Sequence, residues 1–346
     1  MTDVRILSSK SDECSHIWDA YIHNNNIPPL AIWGSGDILD CFYKKRVLRI
    51  LAFDAEKKVC GYFLGYSETH NGAQLYGVQF GFHAQNLEIA RSIYEKIKEY
   101  CKTRRVSQIL ISYGLETYDG LMVVSKKTNI FLPLQKDENA LWGCVPTKTR
   151  NIIRKGKREG YSVANSWKYF DEFYEVYQNR FHQKGLTMKP KGLFRALKDV
   201  YADDLNLWVA LDELGKVEAG MIFLKGRRVA SYLYNASTQK AARAGANNLI
   251  IWEVMKYFAK RDIEYIELAE ATEGGGVYNF KKQLHKDSRI LPIMYGNSME
   301  EKKIQAVKVS FLYYFLVLGL KFYHFLPSKP IQMFFLKRGS QYGRVM

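Results

Sequence analysis

Between residues 161 and 294 the apolar positions switch repeatedly between a helical period and a period of two. Tyr161–Ser166 reads as a short strand. Phe170, Phe173, Tyr174, Tyr177 and Phe181 lie at helical spacing within Tyr169–Lys184, and Lys191–Tyr201 predicts a second helix. Leu205–Leu211 is an apolar run. The turn Asp212-Glu213-Leu214-Gly215 reverses it into a second strand, Lys216–Lys225, and Gly226-Arg227-Arg228 reverses that into Val229–Ala236. Ala246–Lys260 predicts a long helix after Gly245. Ile263–Ala269 follows as a strand, Val277–Leu284 as a helix and Ser288–Met294 as a last strand.

The first half predicts the same order. Helices are expected at Asp12–Asn24 and Asp37–Arg46, and three strands at Val47–Phe53, Val59–Tyr66 and Ala73–Phe80, with turns at Asp54–Lys58 and Asn71-Gly72. A helix at Ala84–Lys102 and a strand at Val106–Ser112 complete it. Laid on itself at an offset of 158, the chain gives coincident residues without a gap, among them Leu39/Leu197, Ala52/Ala210, Asp54/Asp212, Val59/Val217, Tyr76/Tyr234, Glu95/Glu253 and Leu110/Leu268. The expectation is a duplicated α+β unit, with domains at 1–144 and 145–297, a joining basic helix at 146–158 and a C-terminal helical segment at 298–346.

Composition agrees with two domains. The 346 residues exceed the roughly 250–300 at which one core stops growing, and 47 % are apolar, too many for a disordered chain. Lys and Arg number 51 against 35 Asp and Glu, a net charge of +16 that speaks of anionic partners: nucleic acid, nucleotide cofactors or a membrane surface. Cys14, Cys41, Cys60, Cys101 and Cys144 form no CxxC pair and no zinc-like cluster with histidine. Reduced thiols, a cytoplasmic location and no metal are therefore expected. Residues 1–18 carry charges throughout and no signal-peptide core. The longest charge-free apolar run, Val309–Leu320, would span about 18 Å as a helix, short of a bilayer core.

Several residues carry candidate chemistry. Lys148–Arg158 holds six cations, and Arg150, Arg154 and Arg158 share a helical face suited to phosphate oxygens, or simply to water. Lys155 lies beside them. Gly245 opens the long helix, whose free N–H groups and positive dipole end suit an anion; it also fits a plain loop-to-helix turn with Asn247 as cap. Glu267 and Ala269 share a strand face and Glu270 lies at the strand exit. A carboxylate there suits a general base for an amine nucleophile, or a hydrogen-bonded structural role, with Glu273 a looser alternative. Tyr232 and Tyr234 share a face of the preceding strand, where either could orient a substrate or protonate a leaving group; the Tyr76 twin of Tyr234 favours packing for the latter. No histidine is set beside a Ser or Cys nucleophile, so covalent catalysis is not expected.

Three stretches carry a resemblance to a known family: Lys148-Thr149-Arg150-Asn151-Ile152-Ile153-Arg154-Lys155, Gly245–Glu253 and Tyr278-Asn279-Phe280-Lys281-Lys282. With the element order, they resemble the GNAT acyltransferase unit, and two such units resemble the FemABX branch, over about residues 1–297. The resemblance implies an α+β fold of tandem GNAT-like units, with mixed sheets flanked by helices, and N-acyl transfer onto an amine acceptor. Phe280-Lys281 matches the family's Phe-Lys pair, whose lysine would stabilise the oxyanion; Lys282 competes for that role. The phosphate turn would be Ala242-Arg243-Ala244-Gly245-Ala246-Asn247, with Asn235, Ala246, Asn247 and Asn248 also on the cofactor side. It keeps one glycine of the usual pattern; the first unit has Leu87 there, so donor chemistry is expected in the second unit alone. Implied donors are acyl-CoA (acetyl-CoA) or, alternatively, aminoacyl-tRNA. Implied acceptors are an amino sugar or peptide of a nucleotide- or lipid-linked glycan precursor, bound through Arg150, Arg154, Lys155, Arg158 and Tyr234. A non-catalytic nucleic-acid-binding module on the same fold is the other class. Residues 298–338, with basic flanks and aromatics, suit an anionic membrane surface at the inner face of the cell membrane, or a helix packed on the core.

Overall fold

A computed structural model describes residues 2–7, 12–67, 74–104, 106, 108–112 and 122–298. The expected membrane-surface segment, apart from its first residue, therefore lies outside the described residues. The first half runs β1 (Asp3–Leu7), α1 (Asp12–Asn24), α2 (Trp33–Asp37), β2 (Arg46–Phe53), β3 (Val59–Ser67), β4 (Gln74–Ala84), α3 (Leu87–Thr103), β5 (Gln108–Ser112) and β6 (Met122–Pro133). After α4 (Glu138–Cys144) and α5 (Thr147–Arg158) come β7 (Ser162–Asn165), α6 (Phe170–Gln183), α7 (Lys191–Tyr201), β8 (Leu205–Leu211), β9 (Val217–Lys225) and β10 (Val229–Ser237). The chain continues with α8 (Gln239–Ala244), α9 (Ala246–Ala259), β11 (Tyr265–Ala271), α10 (Gly276–Lys282) and β12 (Arg289–Ser298).

The 158-residue offset is visible in space. It carries the start of α1 onto that of α6 (12 + 158 = 170) and β3 onto β9 (59 + 158 = 217). One expected helix differs. Instead of Asp37–Arg46, α2 starts at Trp33 and runs into a π-helical turn, Ile38–Phe42. Gly34 and Gly36 weaken the helical signal there, but a Cβ on either would stand 2.3 Å from Val200 Cγ1 or the Arg49 guanidinium. Packing thus selects glycine and overrides propensity. Strands β1 and β6 had no expectation; Ser125-Lys126-Lys127-Thr128 breaks the apolar alternation of β6.

The twelve strands of the described residues join one sheet in the order β1-β2-β3-β4-β5-β12-β6-β11-β10-β9-β8-β7. The two halves exchange their last strands. β12 pairs with β5 of the first half, β6 pairs with β11 of the second, and β6 and β12 pair antiparallel at the junction. Only β4–β5 and β10–β11 are parallel, which makes each half a mixed sheet.

Each half is covered on both faces. α3 buries Ile89, Ile93 and Ile97 on β2–β5, while Trp18 and Ile22 of α1 pack behind. α9 buries Leu249, Trp252, Met255 and Phe258 on one face of β8–β11, and Phe173, Tyr177, Phe194 and Leu197 of α6 and α7 cover the other. α9 is apolar nearly all round because α5 lies on its outer side. Burying its seven large apolar side chains from Leu249 to Phe258 contributes about 10–20 kcal/mol gross. No helix among the described residues is long and apolar enough to cross a membrane.

Candidate active site

β10 and β11 pair only over Val229–Ser231 and Tyr265–Glu267. Beyond that β10 stays with β9 to Ser237, and β11 stays with β6 to Ala271. The strands splay, and a cleft of about 620 Å³ opens beside them. Its second-half wall includes Tyr232, Leu233, Tyr234, Tyr201 and Leu197. The first half contributes Leu30, Ser35, Ile38, Val78 and Gln79. Glu270 and Lys189 are the ionisable cleft residues apart from the tyrosines. Gly275 and Gly276 form one edge, after a turn in which Gly274 takes a φ of +76° that suits glycine.

Glu270 reaches this wall through a β-bulge. The β11–β6 register shifts between Glu267 and Glu270, and Ala269 sits at φ +58°. The bulge carries β11 two residues beyond the expected end at Ala269 and sends the two glutamates to different surroundings. Glu267 is 0 % exposed. Its Oε1 accepts the Ala269 N–H at 2.6 Å, and Asn129 on β6 and Ser231 on β10 flank it and favour its ionised form. Burial outweighs these and pushes its pKa up to about 7.

α10 turns Lys281 inward and leaves Lys282 exposed. Lys281 Nζ donates to the carbonyls of Ala269 (3.1 Å) and Glu270 (3.2 Å). It stands 5.6 Å from the Tyr232 ring centroid. Burial pulls its pKa down to about 8, against the opposing pull of Glu267 and Glu270. Neither Lys281 nor Glu267 lines the cleft; both stand behind the wall that Tyr232, Ala269 and Glu270 form. Phe280 is half-buried against the α9 core. Burial raises the phenol pKa values of Tyr232 and Tyr234, and the Tyr234 ring packs 4.8 Å from that of Phe194. The hydroxyls of Ser35 and Tyr201, both on the cleft, hydrogen-bond at 2.6 Å and tie the two halves together.

β10 leads from the cleft through half-buried Asn235 to Ser237, whose hydroxyl accepts Asn247 Nδ2 at 3.1 Å. At this end of α9 the Asn247 Oδ1 and Asn248 Nδ2 atoms are buried with no hydrogen-bond partner. Ala246 is buried, and Gly245 takes a φ of +92° against α5, where a Cβ would meet Ile152 O at 2.6 Å. α5 itself is pinned: Thr149 Oγ1 donates to Gln283 O (2.7 Å) and Lys155 Nζ to Arg243 O (2.9 Å). The guanidinium groups of Arg150 and Arg154 lie 6.0 and 5.5 Å from the Trp142 ring, which packs on Trp252 at 4.6 Å. Arg158 is exposed.

The structure therefore brings Tyr232, Tyr234 and Glu270 onto one cleft, with Lys281 and Glu267 behind it. It places Gly245–Asn248 at the far end of β10, and Arg150, Arg154, Lys155 and Arg158 on α5. Sequence reasoning missed Asn129, Ser231, Tyr201 and the first-half cleft residues. Asn129 stands at the end of the polar stretch Ser125–Thr128 and carried no distinguishing signal. Among the described residues no group of three or more His, Cys, Asp or Glu is placed to hold a metal ion.

Residues 147–282 match the family described as an acetyltransferase (GNAT) domain. No curated protein matches the chain. Among solved structures, FemX is similar at a TM-score of 0.70 and 13 % identity, over 88 % of this chain and 99 % of that one. A tandem GNAT protein from the clavulanic acid biosynthesis pathway matches at 0.52 and 11 %, over 86 % and 98 %. The C-terminal domain of a putative lysylphosphatidylglycerol synthetase from Agrobacterium fabrum matches at 0.55 and 13 %, over 76 % and 87 %. At these identities the structures share the fold, and the domain match covers the second half of the chain. Residues 147–282 thus form a GNAT acetyltransferase domain by their match, and the chain as a whole shares the tandem GNAT-like fold of FemX and of the clavulanic acid pathway protein.

Proposed function

We propose that the cleft between the halves seats an amine acceptor and that Glu270 takes its proton as the amine attacks an activated acyl carbonyl directly. The observation that carries this is a carboxylate on the wall of an aromatic cleft, at the splay of β10 and β11, within a GNAT domain. An ammonium entering the cleft meets Glu270 and the face of Tyr232, both of which attract a cation. Attack requires the neutral amine, so the carboxylate's second task is proton removal. Desolvation by Leu233, Ala271 and Val277 strengthens both interactions.

Acyl-CoA, as donor, supplies a thioester with a good leaving group. Asn248 Nδ2, buried without a partner, and the first amides of α9 suit the pyrophosphate, so the residues present fit an anionic donor although Gly245 is taken up by packing. Arg150 and Arg154, held over Trp142, suit the phosphate of a nucleotide- or polyprenyl-linked acceptor. The likeness to a lysylphosphatidylglycerol synthetase domain supports a lipid-linked acceptor.

The test is amide formation, followed by mass spectrometry, with acetyl-CoA or aminoacyl-tRNA as donor and a panel of UDP-amino sugars and peptidoglycan precursors as acceptors. Glu270→Gln is expected to lower kcat about 100-fold or more, the scale of general-base catalysis, with an unchanged melting temperature. Near-normal turnover removes Glu270 from the reaction. Stabilisation by nucleic acid alone, with no amide from any pair, overturns the enzymatic reading.

A further inference from the structure

The bulge that delivers Glu270 to the cleft adopts a conformation its sequence does not favour. Ala269 lies at φ +58°, a region where an L side chain crowds its own backbone and which glycine enters freely. Leu268 and Ala269 also drop out of the β11–β6 ladder. The polar backbone groups of this stretch go to two side chains instead. The Ala269 N–H donates to Glu267 Oε1 at 2.6 Å, and Lys281 Nζ donates to the carbonyls of Ala269 at 3.1 Å and Glu270 at 3.2 Å. Glu267 comes from the strand itself and Lys281 from α10, so the bulge is gripped from both sides. Both side chains are buried, and neither is on the cleft wall.

We propose that Glu267 and Lys281 are positioning residues: together they clamp the Leu268–Ala269 bulge in its left-handed turn and so set the carboxylate of Glu270 in the cleft. This rests on the reading of Glu270 as the proton acceptor only for its functional meaning; the clamp itself is a statement about β11. It gives Lys281 a different task from contact with the reacting carbonyl. An ammonium already donating to two backbone carbonyls, behind the wall that Ala269 and Glu270 form, acts on the reaction through those residues. Glu267 belongs to the same device, because its Oε1 holds the Ala269 N–H while Lys281 holds the Ala269 carbonyl.

The clamp makes one residue the deciding control. A glycine at 269 adopts the left-handed turn without the Cβ penalty, so it keeps the bulge when the lysine is lost. The experiment uses the full chain as wild type, Lys281→Met, Ala269→Gly and the double variant, read first by hydrogen exchange of the peptide spanning 265–273. Lys281→Met is expected to raise exchange at 268–271 about tenfold or more, as expected for losing charge-assisted hydrogen bonds. The double variant is expected to return it close to the Ala269→Gly level. The second reading is CoA release from acetyl-CoA with UDP-glucosamine as acceptor probe. Lys281→Met is expected to lower kcat about tenfold or more at an unchanged KM for acetyl-CoA, with most of the loss recovered in the double variant.

Unchanged exchange in Lys281→Met overturns the clamp. So does a kcat loss that glycine at 269 leaves uncorrected, which would mark a lysine acting on the reacting carbonyl. If exchange behaves as expected while no variant, wild type included, releases CoA, the clamp stands and the reading of the cleft's reaction is what fails. Should Lys281→Met fail to fold, Lys281→Gln, which keeps a single N–H donor, is read in the same two ways.

Discussion

Gly245 separates two uses of a glycine before a helix, and the Gly245→Ala variant measures the balance. The residue has φ +92°, and a Cβ built there stands 2.6 Å from the carbonyl oxygen of Ile152 and 2.7 Å from its Cγ2. The left-handed conformation alone costs alanine about 1 kcal/mol more than glycine. The close contact is with backbone, which has no rotamer to change, so α5 must move; overpacking of that kind costs about 1–3 kcal/mol. Together the loss is about 2–4 kcal/mol. The facing glycine is an internal control. At Gly156, in the last turn of α5, a Cβ meets Gly245 O at 3.3 Å, a contact that a shift of a few tenths of an ångström relieves. Alanine there also gains up to about 1 kcal/mol of helix propensity. Gly156→Ala is therefore expected to be neutral or stabilising, and Gly245→Ala strongly destabilising. Urea denaturation of both variants, followed by far-ultraviolet circular dichroism, gives the two differences directly. A Gly245→Ala loss below about 0.5 kcal/mol, the range of an ordinary surface change, would refute the packing argument and return Gly245 to a purely ligand-facing role.

Glu267 makes stability depend on pH. Its folded pKa is raised from 4.5 to about 7, so between those values the folded chain keeps a proton that the unfolded chain has lost. Stability therefore falls as pH rises through this window, by about 3 kcal/mol if the site titrates alone, and levels off above it. Glu267→Gln removes the slope. Urea midpoints at pH 4.5, 5.5, 6.5 and 7.5 measure it, and equal slopes for the two proteins would count against the buried carboxyl. The Ser35–Tyr201 hydrogen bond gives a third expectation. Ser35→Ala and Tyr201→Phe should each cost about 1–2 kcal/mol and be clearly non-additive when combined, because both remove one buried contact. Strict additivity in that double-mutant cycle would show that the hydroxyls do not couple.

Local signals carried much of the fold. The meander β8–β9–β10 was legible because Asp212-Glu213-Leu214-Gly215 and Gly226-Arg227-Arg228 mark its turns, and α9 because Gly245 precedes a long apolar run. The 158-residue offset was legible because α1, α2 and β3 fall on α6, α7 and β9 at that spacing, while the later elements drift from it by one to several residues. What failed had non-local causes. α2 forms around Gly34 and Gly36 because Val200 and Arg49 occupy the space of the missing side chains. β6 reads poorly alone because it is paired on both sides, by β11 and β12, and pairing rather than pattern holds it. The candidate site divided along the same line. Glu267, Glu270, Lys281 and Tyr232 were visible as residue types in sequence order, but the bulge that separates the two glutamates depends on a lysine twelve residues beyond Ala269. The first-half wall of the cleft carried no signal, since Ile38 and Val78 become functional only when the second half is laid against them.

The exchanged strands have a consequence for how this chain comes into being. A duplicated protein is usually free to fold one copy while the second is still being made. Here the first copy cannot close. β5 keeps an unpaired edge until residues 295–298 arrive to lie beside it, about 180 residues later in the chain. Nascent chains thus carry an open strand edge through most of synthesis, which is a template for mispairing with other chains. The β5–β12 pairing, between residues more than 180 apart, is a long-range contact of the kind that slows folding. The lock that joins the two halves is set by the last described strand.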